Sequence, residues 1–163
     1  MHEAGCIRYD HTGCEMRMIR AYFLLALVCP MAIAAQSVGS PRLNFVLHCA
    51  GCHAMDGSGN NTPGIPNLRG TIGNFLKVEG GRDYLVQVPG SSQSPLSDQE
   101  TAELLNWMLR EFSAKELPAT PKLYSADEVR QLRRRPLPDV IKRRTEITDK
   151  LLREVGIDLR SYP

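Results

Sequence analysis

Aromatic side chains are scarce in this 163-residue chain, at 6% with a single Trp. That scarcity argues against a stacking platform for single-stranded nucleic acid. Neither sign of charge dominates: 20 Lys and Arg face 18 Asp and Glu, for a net charge of +2. So small an imbalance gives no electrostatic footprint for a polyanion, and nucleic acid is not expected as a partner. No apolar run reaches the ~18 residues of a membrane-spanning helix. What remains is an apolar share of 42%, enough to bury a core, in a length that fits one domain with an appendage.

The apolar residues near the start have another use. Arg17 and Arg20 precede an apolar stretch from Ala21 to Cys29, and Ala32-Ile33-Ala34 supplies a small-x-small cleavage pattern. This reads as a secretory signal peptide, and export would place the protein in the periplasm. Cys29 follows Val28, not a small residue, and so fits an acylation site poorly. His2, Cys6, His11 and Cys14 lie upstream of Met16. We read that segment as a mis-assigned leader, with Met16 or Met18 as the start. Residues 1–35 are therefore excluded from the expected fold.

Only Cys49 and Cys52 then remain in the mature part. They stand in Cys49-Ala50-Gly51-Cys52-His53, the Cys-x-x-Cys-His pattern of c-type haem attachment. Two thiols three positions apart lie along one helical turn and meet the two vinyl groups of one macrocycle edge. The following imidazole then reaches the iron as its proximal ligand. A redox disulfide would want a preceding βαβ pattern, and a zinc site four ligands from separate places. Neither is visible. One covalently attached haem c is the expected cofactor, held by Cys49 and Cys52, with His53 as the metal ligand.

Local signals around this motif are helical. Ser40-Pro41 reads as an N-cap and first-turn proline of a helix over about 41–51, with Phe45 one turn before Cys49 and sharing its side. Gly80-Gly81 precedes a short helix through Tyr84 and Val88, ended by Pro89-Gly90. Ser97-Asp98-Gln99-Glu100 is a capping box that opens a helix over about 98–112, with Trp107 in its middle. Residues 54–74 and 89–96 read as loops.

Taken together these marks resemble a monohaem class I cytochrome c over about residues 40–112, within an expected domain of 36–112, and the resemblance implies a small all-α fold. It carries Pro66 to the position whose carbonyl accepts the proximal histidine's Nδ1–H, and Leu68 to a haem-packing position. It pairs Phe45 with Trp107 where the first and last helices cross. The implied function is one-electron transfer to a redox partner protein, without catalysis by a side chain. The chain departs from the family in one place. The loop before the last helix, where an axial Met is usual, reads Pro89-Gly90-Ser91-Ser92-Gln93-Ser94-Pro95-Leu96. Met55, Met108, His48, Lys77 and Gln93 are the alternatives, with Met108 read as core filling and His48 as facing away. If none serves, the iron is open at one axial position and the protein becomes a haem subunit or sensor for a small gas or peroxide.

Past Phe112 the composition shifts. Residues 113–163 hold twelve Lys and Arg against eight Asp and Glu, whereas 36–112 hold five against seven. Residues 113–124 read as a linker. Ser125 to Glu128 is a second capping box, opening a helix to about Arg135. Asp139 to about Val155 is a further helix stopped by Gly156, with Val140, Ile147, Leu151 and Val155 on one side and Ile141 and Leu152 near it. This charged helical C-terminal extension is expected to wrap the haem domain or to dock a partner. Arg133-Arg134-Arg135 and Lys142-Arg143-Arg144 read first as a solvated helix surface balanced by Glu146, Asp149 and Glu154, and otherwise as a basic strap for an acidic partner, with contact to membrane headgroups the less favoured use.

Overall fold

Two helices packed through aromatic rings organise the chain. In the computed structural model, which describes residues 39–60 and 64–160, the order begins with α1 (Pro41–His48) and the short α2 (Ala50–His53). A 3₁₀ segment (Ile72–Lys77), α3 (Gly81–Gln87), α4 (Pro89–Ser92) and the long α5 (Asp98–Ser113) follow. The extension supplies α6 (Ala126–Arg133) and α7 (Val140–Lys150), the latter running on into a π-turn over Leu151–Val155. The fold is all-α and cytochrome c-like, as the sequence leads one to expect. No helix among the described residues is long and apolar enough to cross a membrane. The expected leader and signal peptide lie outside the described residues.

Helix α1 starts as read, with Pro41 in its first turn, but Ser40 makes no side-chain capping bond. It ends earlier, at His48, because Cys49 leaves helical geometry with φ −126° and ψ −39°. Of its apolar positions only Phe45 is deeply buried, at 1% exposure, while Leu43 and Leu47 stand 51% and 64% exposed. Phe45 meets Trp107 of α5 at 5.5 Å between ring centroids, the pairing expected at the helix crossing. Phe112 closes a three-ring cluster, 5.0 Å from Phe45 and 5.4 Å from Trp107. Tilted and edge-on contacts of this kind add to area burial because ring edges and faces carry opposite partial charge.

The N-terminus of α5 carries the expected reciprocal box. Ser97 Oγ accepts from the Glu100 amide at 3.2 Å, and the Ser97 amide donates to Glu100 Oε2 at 2.9 Å. Two corrections concern the stretch before it. The segment read as loop through 74 ends in a 3₁₀ helix that continues to Lys77. Pro89 does not simply end a helix: it opens the single-turn α4 at its first position.

The extension is part of the same compact unit. Val129 and Leu132 of α6 join Phe45, Val86, Leu105 and Leu109 in the main core. Ile147 and Leu151 are fully buried in a second core with Phe75, Val78, Tyr84 and Leu159. The stretch read as a linker is stitched down. Asn106 of α5 donates through Nδ2 to the Tyr124 carbonyl at 3.0 Å and accepts from the Tyr124 amide at 2.8 Å. Ser125 caps α6 by accepting from the Glu128 amide at 3.3 Å. Glu128 is drawn away from the box to Arg82, whose Nη2 donates to its Oε2 at 2.9 Å. Arg82 also lies over the Tyr124 ring at 3.9 Å. In α7, Asp139 is the N-cap and Gly156 the stop, at φ 71°. Ile141 and Val155, grouped by sequence with the apolar side, are exposed.

The basic cluster 133–135 is divided. Arg134 and Arg135 are exposed, but Arg133 turns inward, with its side chain 15% exposed. Its guanidinium donates to four carbonyls of one loop: Ser91 (3.4 Å), Ser92 (3.1 Å), Ser94 (2.6 Å) and Leu96 (2.9 Å). It also pairs with Asp98 at 3.1 Å. A fixed fork of five donors suits such a set of acceptors, and a lysine's point charge does not.

Two outcomes follow. Arg133→Ala should lower stability by about 2–4 kcal/mol, since charged hydrogen bonds are lost and loop carbonyls are left poorly paired. Hydrogen exchange should accelerate over residues 91–96 first, and Arg133→Lys should restore only part of the loss. The second outcome concerns acid. The Arg82 guanidinium donating to Glu128 holds its carboxyl below the ordinary value of 4.5. Folding therefore favours the ionised form, so its contribution is complete above that value and fades as pH falls through the lowered one. Denaturant titrations of the parent and Glu128→Gln should differ at neutral pH and begin to converge only as pH falls below about 4.5.

Candidate haem site

A cavity of about 420 Å³ lies between the Cys49–His53 turn, the 64–72 segment, helices α3 and α5, and α7. That is cofactor-sized. Its lining is mostly apolar: Leu68, Ile72, Phe75, Leu85, Leu104 and Leu105 are among the contributors. The ring of Phe75 stacks on Tyr84 at 5.4 Å, and both face the same space.

One wall is built by the turn after α1. Once Cys49 breaks the helix, the Cys52 and His53 amides both donate to its carbonyl, at 3.1 and 2.9 Å, and α2 forms as a single turn. Cys49, Cys52 and His53 all line the cavity, together with Pro66 and Leu68. Neither cysteine is in a disulfide; Cys49 is half-buried and Cys52 exposed. Burial, with a smaller push from the neighbouring Cys52, raises the Cys49 thiol above its ordinary value. Burial lowers the His53 imidazole, keeping it neutral, against a weaker opposing pull from Pro66.

The Nδ1 atom of His53 lies 3.1 Å from the Pro66 carbonyl. A carbonyl only accepts, so Nδ1 carries the proton and Nε2 keeps its lone pair for a metal. The Pro66 carbonyl can come this near because Gly59 leaves room: a Cβ on Gly59 would stand 3.1 Å from that oxygen. Gly59 also has φ +76°, and its amide donates to the His53 carbonyl at 2.9 Å. Ala54, next to His53, is held at φ 59° and ψ 163°, a region in which a side chain costs about 1–3 kcal/mol. The turn is over-determined by these contacts.

The sequence candidates for a second axial ligand are sorted by position. Met55 is exposed and lines a different depression of about 360 Å³, with Trp107 and Phe112. Lys77 donates to Asn74 Oδ1 at 2.8 Å, outside the cavity lining. Gln93 is exposed and also outside it. Met108 lines the cavity while packing against the main core. His48, read from the sequence as facing away, is instead an exposed residue of the cavity rim. Phe45, read as sharing the cysteines' side, is corrected the other way. It lies in the ring cluster expected at the helix crossing and lines the second depression, not the cavity.

Two lining residues were invisible to sequence reasoning. Thr101 Oγ1 and Arg144 Nη2 are buried and have no hydrogen-bond partner among the described residues. Orphaned polar atoms in an apolar cavity are costly unless a ligand satisfies them. Among the described residues no three His, Cys, Asp or Glu side chains gather into a metal-ion site. An apolar cleft with one poised imidazole, two thiols at its edge and orphaned polar atoms fits a haem c.

No protein-family model matches the chain, and no solved structure matches it. Two curated relatives do. Cytochrome c-552 of Thermus thermophilus is 33% identical over 108 residues, covering 55% of this chain and 81% of the relative. Cytochrome c-552 of the T. thermophilus strain ATCC 27634 is also 33% identical over 108 residues, with 72% of its length covered. With this likeness and an all-α fold around a cleft bearing Cys-x-x-Cys-His, the chain belongs to the c-type cytochromes.

Proposed function

We propose that this chain is an exported, periplasmic cytochrome of the class I type with a single haem c, passing one electron at a time between protein partners. A periplasmic dehydrogenase or oxidase is the class of partner that fits. The observation that carries the reading is the bond from His53 Nδ1 to the Pro66 carbonyl beside two cysteines on the same wall. In this reading Cys49 and Cys52 form the two thioethers, His53 Nε2 is the proximal ligand, and Pro66 fixes the imidazole. Leu68 packs the ring face. When bound, haem supplies a ferric/ferrous couple.

The protein's own residues then set the conditions of transfer. The leucines and Phe75 keep water from the ring and lower the local dielectric, which strengthens every charge effect inside. The thiol edge of the cavity lies at the surface: Cys52 is exposed, as are Leu43 and Leu47 on α1. An exposed edge suits a brief encounter with a partner, where contact must be close but not lasting.

A second reading has its own observation. From the 88–94 stretch only Val88, Pro89, Gly90, Ser91 and Ser94 line the cavity, and none is a good iron ligand. That favours an open axial position able to take a gas or peroxide, unless Met108 ligates.

Material exported from a host competent in haem attachment should be coloured and should keep its haem after denaturation. The mass should exceed the bare polypeptide by one haem. Cys49→Ala combined with Cys52→Ala should abolish the covalent adduct, and colourless parent material would end the cytochrome reading. Optical spectra with carbon monoxide separate the two versions. A near-red thioether band that vanishes in Met108→Leu, without gas binding by the parent, assigns Met108 as sixth ligand. Tight carbon monoxide binding by the ferrous parent supports the open site.

A further inference from the structure

We propose that Arg144, carried by the C-terminal extension, is the carboxylate clamp of this cavity, and that its partner is a propionate of the bound haem. The inference rests on the haem reading above and adds a residue outside the attachment motif. Helix α7 is anchored by Ile147 and Leu151, both fully buried in the core they share with Phe75 and Tyr84. Arg144 lies four residues after Val140 and three before Ile147, so the three share one helical face. Val140 and Arg144 both line the cavity. The anchored helix thus delivers a guanidinium to the cofactor space.

No acid among the described residues is found paired with that guanidinium. Its Nη2 is buried and unpartnered, and the cavity lining contains no Asp or Glu. Two acids close to it along the chain are engaged elsewhere: Glu146 pairs with Arg143 at 3.1 Å, and Asp139 accepts from the Lys142 amide at 2.9 Å. The charge of Arg144 is felt inside, pulling the Tyr84 phenol down against the larger upward push of burial. Arginine does not shed its proton to escape such a site, so the missing negative charge must come with the ligand. Haem brings two carboxylates, and the arginine fork matches a carboxylate with two parallel hydrogen bonds.

Arg144→Gln, Arg144→Lys and the exposed control Arg134→Gln test this in the holoprotein, each checked by mass for covalent haem. Positive charge near the iron disfavours the ferric state. Arg144→Gln should therefore shift the ferric/ferrous equilibrium about tenfold toward ferric, about 59 mV for one electron. Arg144→Lys should retain most of the parent potential, and Arg134→Gln nearly all of it. The propionate bending band in resonance Raman spectra should move in Arg144→Gln alone. Equal potentials and equal Raman bands in Arg144→Gln and Arg134→Gln would overturn the clamp. So would a loss of azide affinity in ferric Arg144→Gln with the potential unchanged, since that places the guanidinium beside the axial position instead. A parent without covalent haem refutes the cytochrome reading itself, whereas a haem-bearing parent with an insensitive Arg144 refutes only the clamp.

Discussion

The bond from His53 to the Pro66 carbonyl ties the attachment turn to the 64–72 segment, and the cavity exists because those two pieces of chain are held apart and face to face. Each end of the bond is itself constrained. His53 is fixed by a helix that breaks at Cys49 and resumes for one turn. Pro66 is reached because Gly59 has no side chain to block it. Neither piece has a long helix of its own to rely on, so a single polar contact decides which nitrogen of the imidazole is free.

The opposite side of the cavity is governed by a different kind of contact. In class I cytochromes with an axial methionine, an iron bond holds the loop before the last helix. Here Arg133 gathers four carbonyls of that loop. The guanidinium does from outside what a ligand bond would do from inside. The loop is thereby given a fixed course by side-chain contacts from the extension.

What could be read from the sequence was what is local. The Ser97–Glu100 box, Pro41 in a first turn, the stop at Gly156 and the Cys-x-x-Cys-His spacing each involve residues within a few positions. Pro66 and the Phe45–Trp107 pair are long-range, and they came through resemblance to a family, not through pattern. The contacts of Arg82, Asn106, Arg133 and Arg144 were not legible. Each spans 18 residues or more, or ends on a backbone atom or an empty space. A basic cluster looks the same in a sequence whether its arginines meet water or carbonyls. Linker and strap were reasonable names for 113–124 and 133–135, but polarity alone does not report burial.

The joining of α7 to the cavity also sets an order in time. The cysteines precede Val140 and Arg144 by about ninety residues. While the chain is being made, the thiols emerge long before the last wall does. Until α7 arrives, the cleft lacks the wall that Val140 and Arg144 supply. The wall of the cavity that the tail supplies is thus the last to be completed.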